Sequence, residues 1–173
     1  MIRPATAQDA AAVAAVYAPY VLGSVATFEE VPPTEAEVAA RMANGLPWLV
    51  ADVDGVVGYA YAGPHHARAG YRWSVTVSVY LDAAHHGRGL GRALYGELLP
   101  LLTRLGYVNA YAGVTLPNDA SVGLHEAVGF TPVGVYRGVG FKHDRWHDVG
   151  WWQRPLQDPP PGAPPEPRRW VLA

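Results

Sequence analysis

His85-His86-Gly87-Arg88-Gly89-Leu90-Gly91-Arg92 is the stretch whose reading decides the fold. Before it, Trp73 to Leu81 is a β-branched and aromatic run that reads as a strand. After it, Leu90, Ala93, Leu94, Leu98, Leu101, Leu102 and Leu105 recur on a helical stripe that Gly106 closes. Strand, glycine-rich turn and helix in that order gather the unpaired N–H groups of a helix's first turn at one point. Glycines there let the backbone approach a ligand closely, and the helix dipole favours an anion, so the turn is a candidate phosphate or pyrophosphate site. Arg88 and Arg92 add positive charge at the same end. The pattern is neither the Walker loop, for want of Gly-Lys-Ser/Thr, nor the dinucleotide fingerprint, whose glycine spacing differs. Taken alone, such a turn also serves simply to pack a helix on a strand.

Outward from this core, helices and strands alternate. Thr6-Ala7-Gln8-Asp9 opens an alanine-rich helix to about Tyr17, and Thr34-Glu35-Ala36-Glu37, a capping box, opens another to about Ala43. Trp48 to Val53 and Val56 to Ala62 read as a hairpin turned at Asp54-Gly55. Pro100 sits inside the leucine-striped helix, opposite the Gly96 carbonyl, where it predicts a kink rather than a break. Tyr107 to Val114 reads as a strand, Asn118 to Val128 as a helix stopped by Gly129, and Phe130–Tyr136 and Val139–Gln153 as closing strands. The result is one α/β domain over residues 1–156. From Pro155 onward seven of nineteen residues are proline, so residues 157–173 read as a tail lying on its own surface or in solvent rather than as a ligand for a proline-binding module.

Composition narrows the function. With 173 residues, half hydrophobic and 16% charged, the chain has material for one packed core. Thirteen basic against fifteen acidic residues leave a formal charge of −2, which argues against a nucleic-acid partner. No apolar run approaches the roughly 20 residues of a membrane span, and Met1-Ile2-Arg3-Pro4 lacks the apolar stretch of a signal peptide, so a cytoplasmic location is expected. There is no cysteine, which excludes disulfides, thiolate metal sites and a cysteine nucleophile. Lys142 is the sole lysine, as a coding bias toward Arg would produce. The histidine pairs His65-His66, His85-His86 and His143/His147 do not have converging geometry, and no metal site is expected.

A second segment, Asn118-Asp119-Ala120-Ser121-Val122-Gly123-Leu124-His125-Glu126-Ala127-Val128-Gly129-Phe130, joins the first in a family resemblance. Asn118 by itself reads as a helix cap, and a lone His125 as a satisfied imidazole. Together, however, the segments resemble the GNAT acetyltransferase superfamily. Its pyrophosphate loop, Arg/Gln-x-x-Gly-x-Gly/Ala, is matched by His86 to Gly91 with His in the first place, and its later Asn-to-Gly-Phe helix is matched in outline by Asn118 to Phe130. The chain is most similar to the phosphinothricin-type N-acetyltransferases in Pro47-Trp48-Leu49-Val50-Ala51, Ala60-Tyr61-Ala62-Gly63-Pro64, Leu116-Pro117-Asn118-Asp119 and the stretch from Phe141 to Gly150. The proline-rich end resembles that family's tail as well.

The resemblance implies an α/β (α+β) GNAT fold, a mixed, mostly antiparallel sheet splayed at the cofactor with helices on both faces. It implies transfer of acetyl from acetyl-CoA to the primary amine of a small molecule, in a homodimer. The backbone at Val79, Tyr80 and Leu81 would pair with the pantetheine arm. Gly87, Arg88, Gly89, Leu90, Gly91 and Arg92 would hold the pyrophosphate, while Asn118 and Ser121 would flank the arm. Phe28, Arg68 and Tyr71 would form the acceptor pocket, Arg68 suiting a carboxylate or phosphinate. His66 and Arg72 depart from the lysine and the acidic residue common there. The family's basic glutamate falls at Thr76, which cannot act as a base. Three repairs remain open: His125 acting alone or with ordered water, a water chain ordered by Thr76 and Ser78, or approach of His65 or His66. His125 with water is the expectation. Two other readings stay open, a protein acetyltransferase and a CoA-binding module without catalysis. Without a cysteine, transfer runs directly from thioester to amine.

Overall fold

The computed structural model describes residues 1–171. A short strand β1 (Ile2–Pro4) leads into α1 (Ala10–Gly23) and α2 (Glu35–Met42). The hairpin of β2 (Trp48–Asp52) and β3 (Val56–Pro64) comes next, then β4 (Ser74–Leu81), α3 (Leu90–Leu105), β5 (Asn109–Leu116) and α4 (Asp119–Ala127). A second hairpin, β6 (Thr131–Lys142) and β7 (Arg145–Pro155), closes the chain. The seven strands form one sheet in the order β1-β2-β3-β4-β5-β7-β6. Every neighbouring pair is antiparallel except β4 and β5. This is the mixed α/β architecture the sequence implies.

Alternation along the strands divides the core between two faces. Leu49, Ala51, Ala60, Ala62, Val75, Val77, Ala110, Ala112 and Val114 pack under the leucine stripe of α3. Trp48, Val50 and Tyr59 point the other way, against Val13, Val16, Tyr17 and Val21 of α1 and Val38 and Met42 of α2. Covered on both faces, β2 is buried along nearly its whole length, and it is accordingly apolar from Trp48 to Ala51. The capping box at Thr34 forms, with its hydroxyl accepting from Glu37 N and the Glu37 carboxylate accepting from Thr34 N. The α3 helix continues through Pro100 to a left-handed Gly106.

Two boundaries differ from expectation. Helix α1 runs past Tyr17 and Pro19 to Gly23. Burial of Val21 against the sheet and the contact of Tyr20 with β4 carry the last turn despite the hydrogen bond that proline removes. The closing hairpin does not turn near Arg137-Gly138. That pair lies in a bulge of a single long β6, where Gly138 has a φ of 54° and Asp148 binds both Gly138 N and the Arg137 guanidinium. The turn instead falls at His143-Asp144, both left-handed (φ 52° and 58°) although neither is glycine. Beyond β7 the proline-rich tail lies back on the domain. Arg168 N donates to Leu105 O, Trp170 N to Gly45 O and Trp73 Nε1 to Pro165 O, and Glu166 pairs with Arg72.

Candidate active site

The site begins as a defect in the sheet. Strands β4 and β5 pair only over Ser74–Thr76 against Asn109–Tyr111. Each is held on its outer side along its length, β4 by β3 and β5 by β7, so beyond Thr76 the sheet opens as a V. Backbone groups of Val77 to Leu81 that would bond a neighbouring strand face a cleft of about 560 Å³ instead. A free strand edge of this kind accepts an extended, amide-bearing ligand as an added strand.

At the wide end of the V lies the glycine turn. Gly87 (φ 73°) and Gly89 (φ 78°) are left-handed, and nothing stands within 4 Å of where their side chains would be, so bare backbone faces the opening. Gly89 caps α3, which presents its first N–H groups there beside the exposed Arg88 and Arg92. Gly91 serves packing, since a Cβ would meet Leu124 of α4 at 2.9 Å. The first residue of the motif, His86, ties the turn to β4, with Nε2 placed 3.1 Å from Leu81 O and 2.9 Å from the Tyr20 hydroxyl. Val79, Tyr80, Leu81, Gly87, Gly89, Leu90, Gly91, Arg92, Asn118 and Ser121 all line the cleft. A polyanion at the turn and an amide arm along β4 fit this donor set, as acetyl-CoA requires.

Helix α4 forms the opposite wall. Asn118 Oδ1 accepts from Ser121 N, so it caps the helix while bordering the cleft. His125 also borders the cleft but is 4% exposed. Its Nδ1 is 2.7 Å from Ser121 O, an acceptor only, so Nδ1 carries the proton. Nε2 therefore accepts from the Tyr95 hydroxyl at 3.0 Å. Burial pushes the imidazole below its ordinary value, which favours the neutral ring. With both nitrogens engaged, this arrangement speaks against the expectation that His125 takes the amine's proton. Tyr95, fully buried in α3, carried no signal in the sequence.

At the apex, the other face of the sheet carries a group that sequence reasoning only partly found. Thr76 and Tyr111 are the last paired residues of β4 and β5 and project away from α3, because their neighbours Val75, Val77, Ala110 and Ala112 pack under it. His65 lies across both. Its Nδ1 is 3.0 Å from Thr76 Oγ1, and its ring stacks on Tyr111 at 4.3 Å. Trp151 of β7 stands edge-on at 6.0 Å, pressed against Gly113, where a Cβ would come within 3.2 Å of the indole. Its buried Nε1–H has no partner among the described residues. Alternation along β5 and β7 places Tyr111 and Trp151 on this face, but only the β4–β5 seam brings them to His65.

Of the expected acceptor residues, only Tyr71 packs at this apex. Tyr71 packs on His66 at 4.7 Å and on His65 at 6.4 Å. Arg68 is exposed and starts the short turn that carries Tyr71. Phe28 sits in the segment between α1 and α2, closed over Gly140 and 6.1 Å from His147. That segment is anchored by Lys142, whose buried Nζ donates to Val21 O (2.7 Å) and Thr27 O (2.8 Å). The sole lysine is therefore structural, which composition did not foretell. Among the described residues, no group of three or more His, Asp or Glu is placed to hold a metal.

Comparison with known proteins agrees with this geometry. The acetyltransferase (GNAT) domain family matches residues 2–151. A phosphinothricin N-acetyltransferase of Streptomyces viridochromogenes is 47% identical, over 98% of this chain and 93% of its own. An L-methionine sulfoximine/L-methionine sulfone acetyltransferase of Salmonella typhimurium is 37% identical, over 91% and 95%. The crystal structure of a phosphinothricin acetyltransferase from Sinorhizobium meliloti in complex with acetyl-CoA superposes with a TM-score of 0.90 at 41% identity, covering 96% of this chain and 93% of that one. The chain belongs to the GNAT acetyltransferase family. It is an N-acetyltransferase that takes its acetyl group from acetyl-CoA.

Proposed function

We propose that this enzyme acetylates the primary amine of a small amino acid of the phosphinothricin or methionine sulfoximine/sulfone kind. The observation that carries this reading is the aromatic cluster at the apex of the V, where His65 stacks on Tyr111 and stands edge-on to Trp151 and Tyr71. Similarity to acetyltransferases named for those compounds over nearly the whole chain supports it. The exposed Arg68 supplies a guanidinium for a carboxylate or phosphinate.

In this reading the free edge of β4 at Val79, Tyr80 and Leu81 binds the pantetheine arm. The turn from Gly87 to Arg92 binds the pyrophosphate, and Asn118 and Ser121 flank the arm from α4. Backbone N–H groups of β4 just past Thr76 stabilise the oxyanion as the amine attacks the thioester carbonyl. Thr76 orients a partner rather than moving a proton, and His125, held neutral, fixes the wall beside the thioester. With no cysteine in the chain, transfer is a single direct step.

We also infer a homodimer in the cytoplasm, where acetyl-CoA is available. The exposed apolar face that suits an interface lies on β6 and Trp146. Trp152 is 7% exposed and belongs to the core, whereas Val133, Tyr136, Val139, Phe141 and Trp146 are more than half exposed. A monomeric mass by sedimentation at micromolar concentration would refute the dimer.

A thiol-release assay with acetyl-CoA and a panel of amino acid analogues tests the function. Turnover of phosphinothricin or methionine sulfoximine with intersecting double-reciprocal lines is expected. Acetylation of N-terminal peptides alone would transfer the chain to the protein acetyltransferases. CoA binding without turnover of any amine would make it a binding module.

A further inference from the structure

The reaction requires a base, because an amino acid arrives as an ammonium ion and must lose a proton before its nitrogen can attack. Thr76 cannot serve, and both nitrogens of His125 are engaged. We propose that His65, oriented by the hydroxyl of Thr76, is the general base of this acetyltransferase. The inference rests on the reading above, that a small amine reaches the apex of the V.

Position is the first argument. The pyrophosphate turn marks one end of the cleft, at Leu81, and the reacting end of an arm laid along β4 must therefore lie toward Val77 and Gly113, at the apex. His65 immediately follows β3, its backbone N donates to Ser74 O, and its side chain folds over the last pair of the seam, Thr76 and Tyr111. It thus lies at the apex, on the face of the sheet opposite α3.

Hydrogen bonding is the second. Nδ1 is engaged by Thr76 Oγ1 at 3.0 Å, while Nε2 has no hydrogen-bond partner among the described residues. When Nδ1–H donates to the threonine oxygen, the lone pair of Nε2 is free, and once Nε2 is protonated the same oxygen steadies the imidazolium. Burial and neighbouring His66 lower the affinity of the ring for a proton, so it stands ready as a neutral base near pH 7. The titratable groups packed on it are His66 and Tyr71 from the adjoining turn and Tyr111 from β5. No carboxylate bonds the ring among the described residues to raise its pKa. Thr76 is thus a positioning residue, and the glutamate expected at its place is replaced by a two-residue device.

The protons balance. The ammonium gives one proton to Nε2 of His65, which releases it to solvent. The amine nitrogen then bonds the acetyl carbon as the carbon–sulfur bond breaks, and the second proton lost from nitrogen goes to the departing thiolate.

The test is the pH dependence of kcat/KM for the amine in the full-length enzyme, His65→Gln and Thr76→Val, each checked for acetyl-CoA binding. For the parent enzyme, an acid limb below about 6.5 is expected. His65→Gln should lose about 100-fold in kcat at neutral pH with the KM for acetyl-CoA unchanged, and recover toward alkaline pH, where the amine arrives already deprotonated. Thr76→Val should move the acid limb and lower kcat by less than His65→Gln does. A His65→Gln enzyme with unchanged kcat and an unchanged limb would overturn the proposal and leave the function standing. A parent enzyme that turns over no amino acid would overturn the function itself. If His65→Gln does not bind acetyl-CoA, Thr76→Val decides: an unmoved limb refutes the role of His65.

Discussion

Gly140→Ala isolates the contact that holds the segment carrying Phe28 in place. Gly140 lies in β6 without a left-handed φ, so alanine is acceptable to the backbone. Its Cβ would nevertheless fall 2.1 Å from Phe28 Cζ and 2.4 Å from both Cε atoms. To reach an ordinary contact of 3.4 Å the ring must retreat by about 1.3 Å. It cannot simply swing away, because the segment is anchored through Thr27 O to Lys142 and through Tyr17, whose hydroxyl is 2.6 Å from Thr27 Oγ1. Overpacking of this kind costs about 1–3 kcal/mol, a fall in Tm of roughly 2–12 °C for a chain of this size. Urea unfolding of Gly140→Ala, Phe28→Ala and the double variant completes a cycle. In the Phe28→Ala background the penalty of the added methyl should vanish, which makes the coupling equal to the single-variant cost. Kinetically, Gly140→Ala should raise KM for the amine several-fold and leave that for acetyl-CoA alone. Equal destabilisation in both backgrounds would refute the reasoning, because the methyl would then be acting on something other than Phe28.

Other outcomes follow from the same packing and charges. Lys142→Met leaves the Val21 and Thr27 carbonyls without their donor and should cost about 2–4 kcal/mol in urea unfolding, with KM for the amine rising as the Phe28 segment loosens. Asp9 is held down to about 2 by its two hydrogen bonds from Arg3. Its stabilisation, up to about 2 kcal/mol, is therefore complete above the ordinary carboxylate range and lost as pH falls toward 2. The Tm gap between the parent and Asp9→Asn should be widest at neutral pH and close on acidification, and a gap constant with pH would contradict this. Arg92→Ala and Arg88→Ala should each raise KM for acetyl-CoA about tenfold, more at low salt, with kcat held; an unchanged KM would remove that arginine from the pyrophosphate site.

Much of the cofactor side was legible from residues 73–130 alone. A helix's first turn is a local structure, and the order strand, Gly87-Arg88-Gly89, leucine stripe places N–H groups, charge and bare backbone together whatever the rest of the chain does. The same locality made the Thr34 capping box and the Asp54-Gly55 turn readable. Where competing local signals existed, reading failed. Arg137-Gly138 carries a turn signature but sits in a bulge, because pairing with β7 continues past it, while His143-Asp144 is forced into left-handed geometry by the register of two long strands. Pro19 marks a helix end that tertiary burial overrides.

The acceptor side belongs to the tertiary structure. Sequence alone supported the reading of one domain with a glycine turn suited to a pyrophosphate, and it established that the chain has no thiol and that Thr76 is not a glutamate. It could not choose among the histidines, since His65, His125 and Thr76 are brought together or kept apart by long-range strand pairing. The seam of β4 and β5 places His65 on Thr76 with one nitrogen free, and the packing of α3 on α4 brings Tyr95 to the Nε2 of His125, whose Nδ1 is already engaged by Ser121 O of its own helix. A histidine's chemistry depends on which of its nitrogens is left without a partner, and partners distant in sequence are settled only when the chain has folded.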